Sequence, residues 1–415
     1  MKQVIGFPAS LRCLGLIALL LPVTGCVVSE TRPEVYTPAA QAQTEVPEDR
    51  LLDIGIGIFD PGLPDEGESP EDGVFRNVRE AEASYVAVQL KDTLQNTGHW
   101  GMVRVVPERS ESMDIHIKGE IVESDGEILV LEIKATDATN RVWFNRRYKD
   151  RADGAAYSDS RVLDRDPFQS LYNAVANDLL AYREEMSTAD LQTIRQVAEL
   201  RFAGSIAPAA FGEHLVEDRK GDLEIARLPA VGDPMLDRVR LIRERDYMFI
   251  DTLNEHYATF HRQMEEPYEN WRKFSYEEIL NLREVKRTAR WQQMIGAAAV
   301  IGAVAMGAEA DSRTASIASD VALIGGIGIF RAGLQTAKEA KIHADAIAEL
   351  GGSFNADIEP AVVEVQGEER RLTGSAATQY GEWQRLMQEI WTTETGLPDA
   401  DSSTGVDTIP EPSRP

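Results

Sequence analysis

Thiols are almost missing from this chain: its two cysteines, Cys13 and Cys26, both fall near the N-terminus. That excludes a disulfide framework and a thiolate metal site, so the folded part has to be held by its apolar interior. Histidine is scarce too. Six copies are scattered, and no His-Glu-x-x-His or Glu-x-x-His pair occurs, which removes the standard zinc and di-iron ligand sets. The sequence has no Gly-x4-Gly-Lys phosphate loop and no Gly-x-Ser-x-Gly nucleophile elbow. Cations are outnumbered, 43 Lys and Arg against 69 Asp and Glu, for a net charge of −26. Such acidity argues against nucleic acid as a partner and against broad adhesion to anionic headgroups; most of it serves solubility. No apolar run reaches the roughly 20 residues that a membrane-spanning helix needs.

The short apolar run Leu14–Leu21 follows Lys2 and Arg12 and ends in Val23-Thr24-Gly25-Cys26. This order resembles the bacterial lipobox, with Val23 where the family usually carries Leu. The resemblance implies a signal peptide at 1–25, lipid attachment at Cys26, and a mature chain of 415 − 25 = 390 residues. Losing Lys2 and Arg12 takes the charge from −26 to −28. Val27, rather than the Asp of inner-membrane retention signals, implies the outer membrane, with the protein facing the periplasm. Residues 26–50, with Pro33, Pro38 and Pro47 and no helical or strand period, read as a flexible tether.

The expected fold is α+β. Ile54, Ile56 and Ile58 alternate with Gly55 and Gly57, a strand with glycines where something packs closely. A helix follows over 80–95 and stops at Asn96-Thr97-Gly98, then a short strand over 102–106. Three alternating segments, around 115–121, 129–133 and 141–148, form a meander whose first turn is Asp125-Gly126. A helix over 168–182 closes an expected module at 51–185, a mixed sheet with helices on one side. Its order of elements, with Phe59-Asp60-Pro61, Asn96-Thr97-Gly98, Gly101–Pro107, Asp114–Glu120 and Arg141–Tyr148, resembles a periplasmic module. That module is shared by the Tol translocation protein's N-terminal domain, curli secretion lipoproteins and auxiliary lipoproteins of lipid transporters. The likeness covers about 49–185, is one of pattern, and implies binding to other envelope proteins or assembly into rings rather than catalysis.

From 186 to 350 the period becomes helical. One helix carries Leu236, Val239, Ile242, Phe249, Ile250, Leu253, Tyr257, Phe260 and Met264 and is expected to break at Pro267; a second carries Trp271 to Trp291. An apolar hairpin at 294–332 follows, with small residues, among them Gly296, Gly302, Gly307, Gly325, Gly326 and Gly328, spaced for close helix packing. Three readings stand for it: burial in the globule, insertion into the inner leaflet, and a self-association seam. Residues 351–395 read as a β-hairpin plus a helix, and 396–415 as a disordered tail.

Chemistry is hard to find. Glu255, His256, His261, Glu265 and Glu266 crowd one stretch of helix, but a solvated charged face explains them as well as a metal site does. His99-Trp100 reads as aromatic packing at the sheet edge. With 69 acids, no carboxylate pair stands out for glycoside cleavage. The sequence therefore reads as a non-enzymatic, lipid-anchored scaffold or accessory subunit of an envelope assembly, without cofactor or metal. Envelope proteins or a second copy would be its partners. An oligomeric transport or secretion component whose hairpin enters the membrane is one alternative; an envelope hydrolase with an unrecognised site is the other.

Overall fold

In the computed structural model, the described residues are 36–63, 76–107, 110–152, 154–157, 165–305, 342, 345–346, 348–349, 360–365 and 368–396. A five-stranded sheet forms the N-terminal half, in the order β2-β1-β3-β4-β5. Its strands are β1 (Ile54–Gly57), β2 (Val103–Val106), β3 (Ile115–Ser124), β4 (Ile128–Asp137) and β5 (Val142–Arg151). β2 and β3 run parallel to β1 on either side, and β4 and β5 extend the sheet antiparallel, so the sheet is mixed as expected. Helix α1 (Arg76–Asn96) makes the crossover from β1 to β2, and α2 (Gln169–Glu184) follows β5. Strand alternation places Ile54, Ile56, Ile115, Ile117, Ile121, Leu131 and Ile133 in the core, each no more than 1% exposed. Burying each contributes roughly 1.5–3 kcal/mol. Of the two strand glycines, Gly55 has the expected role of close approach, while a Cβ on Gly57 would meet only Ile117 O, at an ordinary 3.6 Å. A Cβ on Gly55 would lie 2.8 Å from Met113 Cγ, and one on Gly119 would sit 2.0 Å from the Phe59 ring.

The expected tether is shorter than 26–50. From Tyr36 onward the chain is strapped to the module by paired backbone groups, which a free tether would leave to water. Thr37 N–H donates to Ser170 Oγ at 3.2 Å and Ala40 N–H to Asn177 Oδ1 at 2.8 Å. Asn173 and Asn177 return bonds to the carbonyls of Thr37 and Pro38, at 2.8 and 2.9 Å. Ala42 N–H reaches Thr97 O at 2.9 Å.

The helical part holds α3 (Thr188–Ile206), begun by a Ser187/Asp190 capping box, then α4 (Pro208–Phe211) and α5 (Pro234–Ala305). Between α4 and α5 lies a small hairpin, β6 (Leu215–Glu217) with β7 (Leu223–Ile225); strands of three residues are too short to show a period. Pro267 does not break the long helix: α5 runs 72 residues with Pro267 inside it. An interior proline removes one backbone bond and costs about 3 kcal/mol. Met264, Tyr268 and Trp271, each at most 1% exposed, hold the flanking turns in place and offset that cost. The β8 (Ala361–Val365) and β9 (Glu368–Leu372) hairpin and α6 (Ala376–Thr395) complete the described fold. One hydrophobic core runs from Leu52 to Trp391, so the 51–185 module and the helices after it share an interior.

Candidate functional site

Several of the ionisable side chains that the fold buries, among them Glu82, Arg104, Asp246 and Arg272, gather along α5, where that helix meets the sheet. β2 is an edge strand, and an open edge invites pairing with other chains. Here α5 covers it. Asn254 uses its side-chain amide as a strand would use its backbone: Oδ1 accepts from Val105 N–H at 2.8 Å, and Nδ2 donates to Val105 O at 2.9 Å. Beside it Arg104, 4% exposed, grips Asp251 with two bonds of 2.7 and 3.1 Å, its guanidinium 4.6 Å from the Tyr247 ring centre. One turn earlier, the fully buried Asp246 accepts from Ser112 Oγ at 2.9 Å and from Trp383 Nε1 on α6 at 3.2 Å. A single carboxylate thus ties the turn before β3, α5 and α6 together.

Farther along α5 a second group forms. Glu82 on α1, with no exposure, accepts from the hydroxyls of Ser124 (2.5 Å) and Tyr268, with Arg79 at 3.6 Å. Arg272, 3% exposed at its side chain, pairs with the equally buried Asp166 at 2.8 Å and lies 4.3 Å from the Tyr268 ring centre. Burial works against the Arg272 charge, but Asp166 and the surrounding phenols outweigh it and hold the guanidinium protonated well above its ordinary range. The β3–β4 turn touches α5 directly: Gly126, at φ +85°, faces Arg272 O, which a Cβ would approach to 2.6 Å. Arg283 then closes on Asp125 at 2.8 Å and on Glu127.

Asp246 and a further buried acid, Asp114 just before β3, are poised to titrate. Burial first, and Asp53 second, push the Asp114 carboxyl up to about 7, while burial lifts Asp246 to about 6 against its hydrogen bonds. A raised acid pKa means that the native state holds the proton more tightly than the unfolded chain. Its contribution is therefore largest at low pH and is lost as pH rises from about 4 towards 7. Asp114 Oδ2 accepts from Asp53 N–H at 2.8 Å, a bond that an amide oxygen can also accept. Asp114→Asn should therefore gain on the wild type by about 2 kcal/mol between pH 5 and pH 8, read as the difference in urea unfolding. A gap that stays constant with pH would show that Asp114 does not titrate in this range.

A polar cleft of about 410 Å³ opens between the strap, α1, residues 165–173 and α5. Its wall is a ladder of side chains. His261 meets Gln89 at 3.2 Å, Gln89 donates to Gln169 at 2.9 Å, Gln169 donates to Asn173 at 2.9 Å, and Asn173 donates to the Tyr36 hydroxyl at 3.1 Å. His261 also stacks on Tyr85 with ring centres 4.2 Å apart, and burial lowers its pKa. The ladder holds the strap in place. Among the described residues no three His, Cys, Asp or Glu side chains are grouped to hold a metal ion. His99 and Trp100 pack as the sequence suggests, with Arg183 5.1 Å from the Trp100 ring centre and bonded to the His99 carbonyl.

Of the residues singled out from sequence for lipidation or helix packing, the two that are described lie outside these groups. Gly296 and Gly302 fall on the last turns of α5. Cys26, Gly307, Gly325, Gly326 and Gly328 lie outside the described residues. The residues missed from sequence were Glu82, Asp166, Asp246, Asn254 and Arg272. For Asp246 a signal existed: it stands midway between Ile242 and Ile250, on the apolar stripe of a helix whose other face is charged.

No protein-family model matches the chain, and no curated protein matches it. Among solved structures it is similar to a PelC variant dodecamer from Paraburkholderia phytofirmans, at 16% identity over 35% of this chain and 94% of that one, with a TM-score of 0.22. A likeness this low carries no argument about this chain.

Proposed function

We propose that this protein is a lipid-anchored, non-catalytic scaffold or accessory subunit of a cell-envelope assembly, held at the outer membrane through Cys26 and facing the periplasm. The observation that carries the scaffold reading is how the buried ionisable groups are used. Asp246, Glu82, Arg104 and Arg272 each bond across elements, joining α5 to the sheet, to α1, to α6 or to the segment that leads into α2. Groups arranged this way resist relative motion of the parts they join, the property an adaptor between a membrane and a partner needs. The anchor reading rests on Val23-Thr24-Gly25-Cys26.

Cys26→Ser separates the readings. In a bacterial host, the wild-type chain is expected in the membrane fraction, with an intact mass showing cleavage before Cys26 and added acyl chains. Cys26→Ser, exported behind an ordinary cleavable signal peptide in place of residues 1–25, is expected in the soluble fraction. If Cys26→Ser stays in the membrane, the anchor moves to the apolar tract at 294–332 and the lipoprotein reading fails.

A further inference from the structure

The sheet face away from α1 and α2 carries an unusual charge pattern. Lys118 on β3 stands directly opposite Lys134 on β4, and Lys134 opposite Asn145 on β5. Two residues along, Glu120 stands opposite Glu132, and Glu132 opposite Arg147. Glu132 is half-buried, and the other five side chains are exposed. Like charges directly opposite in a sheet are destabilising. Among the described residues neither lysine has a carboxylate within 4 Å, while Glu132 is bonded to Arg147 at 2.9 Å. The result is two parallel rows across the strands, Lys118-Lys134-Asn145 and Glu120-Glu132-Arg147, about 7 Å apart.

We infer that this face binds a second copy of the same chain, face to face, about a two-fold axis that lies between the sheets and runs parallel to the rows. That rotation exchanges the rows while keeping each strand over its own mate. Lys118 then meets the partner's Glu120, Lys134 meets the partner's Glu132, and the Asn145 amide oxygen accepts from the partner's Arg147. Each contact occurs twice, as a two-fold interface requires. A two-fold axis parallel to the strands would instead set Lys134 on the partner's Lys134 and Glu132 on the partner's Glu132, so the pattern selects one axis and rejects the other. Exposed Val122, at the β3 bulge, adds apolar area beside the rows. The patch is at the small end of specific interfaces, so the dimer should be weak and concentration-dependent.

The test is sedimentation of the mature chain carrying Cys26→Ser, at about physiological salt to screen the net repulsion between copies. This chain is expected to move from monomer to dimer as its concentration rises. Lys118→Glu with Lys134→Glu leaves Arg147 as the one cation among four carboxylates of the rows, and Glu120→Lys with Glu132→Lys leaves the rows without a carboxylate; each variant alone should lose at least tenfold in association. Mixed in equal amounts, the two should pair again, one face on the other. Net charge alone makes the opposite forecast for Glu120→Lys with Glu132→Lys, since that change lowers the acidity of the chain. A chain that stays monomeric, a Glu120→Lys/Glu132→Lys variant that associates as well as its parent, or a mixture that fails to pair would each overturn the inference.

Discussion

Arg272→Ala is expected to destabilise the protein by about 3–5 kcal/mol, because it strands Asp166 as an uncompensated buried charge. The Arg272 and Asp166 side chains, at the wall of the polar cleft, are 3% and 4% exposed, and their pair spans 2.8 Å. Tyr268 also loses the cation stacked on its ring. Urea unfolding at pH 7 reads the effect, with Arg147→Ala as the control. Arg147 pairs with Glu132 at the surface, where such a bond contributes roughly 0–1 kcal/mol. The double change Arg272→Met with Asp166→Leu should recover most of the loss, since a buried pair replaced by apolar side chains is often close to neutral. A loss under about 1 kcal/mol for Arg272→Ala would mean that Asp166 is solvated and that this group does not hold α5 to the module.

Gly126→Val should be nearly as severe, at about 3 kcal/mol, for two independent reasons. The φ of +85° lies in the left-handed region, which a β-branched side chain adopts only with strain. A Cβ there would also sit 2.6 Å from Arg272 O and 2.9 Å from Tyr276 N, both backbone atoms of α5 that cannot swing aside. Gly126→Ala meets the same backbone with a smaller side chain and should lose less. Thermal unfolding ranks the variants as wild type, then Ala, then Val. If Val and Ala cost the same few tenths of a kcal/mol as an ordinary exposed turn substitution, the β3–β4 turn is not pressed against α5.

The sheet was legible in the sequence because its signal is local. Ile115, Ile117 and Ile121 alternate with polar residues, and Asp125-Gly126 marks the turn by residue type alone. Asp125 does cap that turn, accepting from the amides of Glu127 and Ile128 at 2.9 and 2.7 Å. The unbroken α5 was not legible, because Pro267 is a local stop signal and the burial of Tyr268 and Trp271 that overrides it is tertiary. The strap was hidden for a similar reason. Thr37, Pro38 and Ala40 have no period of their own and are fixed by Ser170, Asn173 and Asn177, more than 130 residues away. The polar groups along α5 were hidden because a buried Arg272 or a half-buried Asn254 looks, in sequence, like any residue on a charged helix face. Only the pairing across 106 positions to Asp166 and 149 to Val105 gives them their role.

The most direct measurement of whether α5 and the sheet form one body is hydrogen exchange in low urea, followed by mass spectrometry of peptides covering β2, the 246–276 stretch of α5, and α6. If Asn254, Asp246, Glu82 and Arg272 bind these elements into one unit, the opening free energies of all three peptides should converge on the global unfolding value as urea rises. If the α5 and α6 peptides instead open several kcal/mol more easily while the sheet stays protected, the helices are a separable appendage and the rigid-scaffold reading is wrong.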